Sequence, residues 1–190
     1  MEGLETIAKD AYLLYSEGFC SNVYILVHGK DVLLIDSGTG ETMPMLDKAL
    51  EGKEITRVIL THGHPDHING MNYISADALL HKADLKILKQ LNSFMPGFKP
   101  PNNIYELAFE SLKFGAFSLK IIHTPGHTPG SISILDETNK LLFSGDTKFA
   151  NGGVGRSDLP GGDEKKLKES LALLKSIKYS KLCPGHGPLE

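Results

Sequence analysis

Three imidazoles and a carboxylate fall within six consecutive positions in Thr61-His62-Gly63-His64-Pro65-Asp66-His67, directly after the apolar run Ile55-Thr56-Arg57-Val58-Ile59-Leu60. The apolar run predicts a buried strand, so the chain must leave the core in a turn, stiffened by Pro65, that carries four lone-pair donors. Desolvating four such groups is costly unless a cation unites them, and neutral imidazole and carboxylate are common ligands of first-row dications. A histidine-rich surface loop is the plain alternative, and the clustering weighs against it.

A site holding two ions needs more ligands than one loop carries, and three further candidates occupy similar positions. His127 lies in Thr124-Pro125-Gly126-His127-Thr128-Pro129-Gly130, Asp146 in Ser144-Gly145-Asp146-Thr147, and His186 between Gly185 and Gly187. Each follows a run that reads as a strand, and each is flanked by glycine, proline or small residues that leave room beside the backbone. His28 and His81 have no neighbours in sequence that complete a site, and His123 can only support a ligand from behind. Asp36, at the start of Asp36-Ser37-Gly38-Thr39-Gly40, is either a turn residue or such a support.

Around these loops the order of elements is α/β. Residues 11–15, 22–27 and 32–35 read as a β-meander with Gly29 in a hairpin turn, and residues 41–50 as a helix with Met45, Leu46, Ala49 and Leu50 on one face. After the 55–60 strand come a helix start at 67–75, a strand at 78–81, and a helix presenting Ala83, Ile87, Leu88 and Leu91. Residues 92–103, with Phe94, Met95 and Phe98 among four prolines and glycines, read as a loop that either covers a site or packs as a connector. A second meander follows, around Phe109 and over 112–114, 117–122, 132–135 and 141–143. Beyond the glycine-rich stretch 147–162, Asp163 can cap a helix whose core stripe is Leu167, Leu171, Leu174 and Ile177, and residues 179–182 form a last strand.

Length and charge narrow the function classes. A chain of 190 residues fits a single domain, 1–190, that can bury a core without disulfides. A net charge of −3 without a run of five like charges speaks against a nucleic-acid partner. Cys20 and Cys183 form no C-x-x-C pair and read as reduced thiols. The first residues lack a basic region followed by an apolar one, and no apolar stretch approaches spanning length, so the expectation is a cytoplasmic protein with no membrane partner and a small-molecule substrate.

The T-H-x-H-x-D-H run at 61–67, the G-H at His127, the S-G-D at Asp146, the G-H-G at His186 and the I-D-S-G at 35–38 together resemble the metallo-β-lactamase fold superfamily. That resemblance covers nearly the whole chain and implies a four-layer αββα sandwich with the metal site at one edge of the sheets. It implies two divalent ions, zinc first and iron or manganese as alternatives. His62, His64 and His127 would hold one ion, Asp66, His67 and His186 the other, and Asp146 would bridge them. Two such ions share a water, lower its pKa and polarise a substrate oxygen; Asp66 would help orient that water. Gly155-Arg156-Ser157-Asp158-Leu159-Pro160-Gly161-Gly162 is similar to a stretch of compact glyoxalase II-like hydrolases, where Arg156 would steer an anionic substrate group or else pin its own loop through Asp158. The longer hydroxyacylglutathione hydrolases carry a helical C-terminal domain that grips glutathione, whereas the given sequence ends four residues after His186.

The expected function is therefore a metal-dependent hydrolase, glyoxalase II-like, acting on a thioester. Two alternatives share the pattern: a persulfide dioxygenase-like oxidoreductase with one iron on His62, His127 and Asp146, and a lactonase. A diiron flavoprotein module would place a carboxylate where His64 stands.

Overall fold

The computed structural model describes residues 3–16, 18–88 and 99–190. Seven strands form the first sheet: β1 (Glu5–Ala8), β2 (Ala11–Leu14), β3 (Val23–His28), β4 (Asp31–Ile35), β5 (Glu54–Ile59), β6 (Ala78–Leu80) and β7 (Ile104–Glu106), in that spatial order. The first four are an antiparallel meander, of which the sequence predicts β2, β3 and β4, with Gly29 at φ +63° in the β3–β4 turn. From β4 to β7 the pairing is parallel. That change follows from the helices α1 (Met43–Ala49), α2 (Pro65–Ile68) and α3 (Lys82–Leu88), which carry the chain back between strands.

Five strands form the second sheet, in the order β12 (Lys181–Pro184), β11 (Leu141–Gly145), β10 (Ile132–Asp136), β9 (Phe117–His123) and β8 (Ser111–Phe114). It is the expected second meander plus one parallel strand delivered by α4 (Glu164–Lys175). Asp163 caps α4 by accepting the Lys166 N–H, the role assigned to it from sequence.

Alternation along the strands makes the layers. On β3, Val23, Ile25 and Val27 join Leu46, Met71 and Leu88 in a core between the first sheet and its helices, while Tyr24 and Leu26 turn to Phe117, Ile134 and Phe143 between the two sheets. A third cluster, Ile122, Leu135, Leu142 and Leu182 with Leu174, lies between the second sheet and α4. Three apolar interfaces make four layers, and the expected αββα sandwich is the architecture observed.

Several local expectations are corrected. Strand β5 is buried only in its second half, because β6 pairs with Val58 and Ile59 alone and leaves Thr56 and Arg57 exposed. Helix α1 buries Met43 with Leu46 and Ala49, whereas Met45 is 49% exposed; Met43 takes the place on the apolar face that the spacing gave to Met45. Strands β1 and β7 went unanticipated: each is short and each sits at a sheet edge. Leu91 and residues 92–98 of the proposed covering loop lie outside the described residues. Among the described residues no helix is long and apolar enough to cross a membrane.

Candidate metal centre

The loop after β5 does not remain a turn. Pro65 opens the single-turn helix α2, which carries Asp66 and His67 on its inner side. Its backbone is tied down from β4 and the β2–β3 connection: the Ser37 N–H and Oγ both donate to the His67 carbonyl at 2.9 Å, and the Ser21 N–H donates to that of Asp66. Asp36 orients the whole loop. With φ at +61° and 1% exposure, it accepts the Thr61 N–H at 2.7 Å, the Thr61 hydroxyl at 2.8 Å and His67 Nδ1 at 2.8 Å. Asp36 is thus more than a turn residue: its carboxylate holds Thr61 and the His67 ring in place.

These partners fix the tautomers. Nδ1–H of His67 donates to Asp36, and Nδ1–H of His127 donates to the Arg156 carbonyl at 2.6 Å. The Thr61 hydroxyl, having given its proton to Asp36, can only accept from Nδ1–H of His62 at 3.1 Å. All three rings therefore turn Nε2 inward, where loss of any second proton leaves a lone pair for a cation. Nε2 of His62 and Nε2 of His127 stand 3.2 Å apart, and Nδ1 of His64 lies 3.1 and 2.9 Å from them. Nε2 of His67 faces the Asp146 carboxylate at 3.2 Å and Nε2 of His186 at 3.3 Å, while His186 lies 3.0 Å from Asp66. Oδ1 of Asp146 is buried without a hydrogen-bond partner. Lone pairs aimed at one another repel; a cation among them turns every contact attractive, so the donor set fits divalent metal. All seven residues singled out from sequence meet here, in three groups: His62, His64 and His127; His62, His67 and Asp146; Asp66, His67 and His186.

Proton affinities follow the same field. Burial, then the imidazoles of His67, His64 and His127, holds His62 well below the ordinary histidine range, and burial with His127 pulls His64 down to about 4. For His67, burial is the largest influence and acts downward, but the carboxylates of Asp36 and Asp146 outweigh it and raise the pKa well above 6.5. Burial works to raise Asp146, yet His67, His127 and His186 bring it down to about 2. Asp66 is also lowered, against burial, by its contacts with His186 and His67.

The remaining ligand loops are held by both sheets. Asn22 Nδ2 donates to the Pro184 and Gly187 carbonyls, the Tyr24 hydroxyl donates to Pro184 and the Asn22 N–H to Gly185, so β3 grips the loop that carries His186. A Cβ on Gly185 would collide with Oδ1 of Asp146 and lie 2.8 Å from the His67 ring; only glycine lets this turn approach the cluster.

Asp84 escaped the sequence reading. From the first turn of α3 its carboxylate accepts the Gly63 N–H at 2.8 Å, the Gly130 N–H at 2.6 Å and the Thr128 hydroxyl at 2.7 Å. It thereby joins the loop of His62 and His64 to that of His127. The available signal was its place four residues before Leu88, on the buried face of a helix where a carboxylate is unusual.

Other predicted residues fall outside the cluster. His28 meets Phe114 edge-on at 6.2 Å, and His81 stacks on His123 at 4.3 Å, whose Nε2 donates to the Pro129 carbonyl. Cys183 is fully buried and burial pushes its thiol up to about 12, in keeping with a structural role. The Arg156 guanidinium forks onto Asp158 at 2.8 and 2.9 Å in water, with 69% of its side chain exposed. Above the cluster opens a cleft of about 760 Å³ lined by His64, Asp66, His127, Asp146 and His186 at its floor and by Phe19, Phe149, Val154 and Arg156 among its walls.

The chain resembles known proteins along most of its length. The family model of the metallo-beta-lactamase superfamily matches residues 18–186. A probable metallo-hydrolase of Methanocaldococcus jannaschii is 38% identical, with 90% of each chain covered. A hydroxyacylglutathione hydrolase of Haemophilus influenzae is 30% identical over 75% of this chain and 72% of its own. Among solved structures, TTHA1623 in a di-iron-bound form superposes with a TM-score of 0.75 at 30% identity, covering 94% of this chain and 93% of that one. With its two sheets and its inward-facing His/Asp cluster, this chain belongs to the metallo-beta-lactamase superfamily and is a metal-dependent hydrolase.

Proposed function

We propose that the chain is a binuclear hydrolase of thioesters. One ion would sit among His62, His64 and His127, the other among Asp66, His67 and His186, with Asp146 between them. The observation that carries this reading is the presence of two three-donor groups with no residue in common, in which the bonds at Nδ1 of His127 and His67 turn Nε2 of each ring inward. A single iron on His62, His127 and Asp146, the dioxygenase arrangement, would leave Asp66, His67 and His186 crowded together with no cation of their own. Zinc is the first expectation for the ions, and the di-iron neighbour makes iron the next.

Such ions supply Lewis acidity and lower the pKa of water in the site. The chain's own residues do the rest. Asp66 is kept ionised by His186 and His67, which makes it a weak base and an effective acceptor for orienting a water O–H. Asp36, Thr61 and the Arg156 carbonyl hold the imidazole tautomers during turnover. Hydrolysis then forms the acyl C–O bond, breaks C–S and leaves a carboxylate and a thiol. An ester or lactone opens by the same bond changes with an alkoxide leaving group. The hydroxyacylglutathione hydrolase relative supports the thioester. Metal-replete protein should turn over at least one acyl thioester; inactivity toward S-lactoylglutathione and toward simple acyl thioesters alike would refute the assignment.

A further inference from the structure

The cleft has walls that bond making at the cluster does not require. Phe19, Ile87, Phe149, Val154, Leu159 and Pro160 all face it. Phe19 is 71% exposed and Val154 45% exposed, so large apolar side chains stand in water at this concave surface. Single exposed apolar residues are ordinary, but several converging on one concave site mark a ligand surface. The apolar wall reaches the cluster at Phe149 and continues away from it at Ile87. Phe149 meets His186 edge-on at 6.1 Å. Ile87 lies against the backbone of Gly161, where a Cβ would come within 3.0 Å of its Cδ1 and 3.1 Å of Pro129, two residues beyond His127.

The charges point the same way. Among the described lining residues, apart from the histidines of the cluster, Arg156 is the cation, and its guanidinium is already matched by Asp158. Asp66 and Asp146 belong to the proposed ions, and the carboxylate of Asp84 is buried under its three donors, so none of the three faces the acyl group as a free charge. On these walls, away from the proposed ions, an acyl group's own carboxylate finds only the Arg156 guanidinium already paired with Asp158, whereas an apolar acyl chain finds aromatic and aliphatic contact beside the reacting carbon. Acyl-carrying thiols are polar molecules, so the apolar surface complements the acyl half of the substrate and leaves the thiol half toward solvent.

Resting on the hydrolase reading above, we propose that this site selects its substrate by an uncharged, apolar acyl group, and that its substrate class is thioesters of aliphatic or aromatic carboxylic acids.

The test uses the full, metal-loaded chain with acetyl, butanoyl, hexanoyl and octanoyl thioesters of N-acetylcysteamine, beside S-lactoylglutathione. Each methylene buried against these walls raises kcat/KM by up to about fourfold, so the expected series climbs from acetyl to hexanoyl and passes S-lactoylglutathione. Phe19→Ala, at an exposed position whose loss does not threaten folding, flattens that climb, and Phe149→Ala flattens it further. A series that is flat or falls with chain length, or S-lactoylglutathione outrunning every apolar acyl group, overturns the proposal while leaving thioester hydrolysis in place. Hydrolysis of none of these compounds overturns both.

Discussion

Replacing Asp36 with asparagine changes one atom of a residue that touches no proposed ion, and the structure predicts which half of the centre fails. Asp36 accepts three hydrogen bonds, from Thr61 N–H, Thr61 Oγ and His67 Nδ1. Asparagine has the same shape and tolerates the left-handed φ of +61°. Its carbonyl oxygen can serve the Thr61 N–H, and its amide then points two protons at the Thr61 hydroxyl and at His67 Nδ1. The hydroxyl can rotate to accept. His67 can accept only by moving its proton to Nε2, the atom that faces Asp66, Asp146 and His186. The second three-donor group thus loses a lone pair, while His62, His64 and His127 keep theirs. Removing the hydrogen-bond partner behind a ligand lowers metal affinity by about 10–100-fold, or about 1.4–2.8 kcal/mol, and an amide facing the wrong way in a buried site costs about 1–3 kcal/mol of stability. Titrating metal-free protein with Zn²⁺ against a chromophoric chelator resolves the two binding steps. In Asp36→Asn one step should weaken by that factor and the other stay near its original affinity. Two unchanged steps, or two steps weakened alike, would refute the tautomer reasoning.

Other expectations follow from the same contacts. His64→Ala should lower hydrolysis by orders of magnitude while thermal unfolding stays cooperative, since the side chain is only partly buried and its polar contacts are with the cluster. Asp84→Asn, unable to accept all three of its present donors, should lose about 1–3 kcal/mol of unfolding free energy and loosen the His62, His64 and His127 group, read as weaker metal retention on dialysis. Because His67 is raised well above 6.5 and His64 lowered to about 4, metal binding near neutral pH should expel the proton of His67 and none from His64. Calorimetry in buffers of different ionisation enthalpy counts it, and zero release would contradict the assignment. In the metal-free chain the raised His67 stabilises the fold at acidic to neutral pH, fully below its unfolded value, and that contribution fades as pH climbs through the folded pKa. Asp146 does the reverse, losing its contribution as pH falls from 3.8 towards about 2.

What could be read in the sequence was what local spacing encodes. Four candidate ligands stood out as one run after a strand, and His127, Asp146 and His186 because each follows a strand between glycines, prolines or small residues, whereas the four layers were implied by the family resemblance and only hinted at by the two meander-plus-helix halves. Edge strands β1 and β7 have no comparable pattern: they expose most of their residues and exist because β2 and β6 offer free backbone partners. Asp84 is intelligible only once α3 packs beside two loops that are 67 residues apart at Gly63 and Gly130 (130 − 63). Arg156 was noticed for its side chain, which turns to Asp158, while its carbonyl, invisible to any residue-type argument, fixes His127.

The claim beneath all of this is that two ions sit in two separate donor groups and that hydrolysis depends on both. Elemental analysis of the purified chain, paired with acyl-thioester hydrolysis on the same sample, tests it most directly. Two divalent ions per chain are expected, with activity that falls as the second ion is withdrawn. One iron per chain, with oxygen consumed on a persulfide and no thioester cleaved, would contradict it.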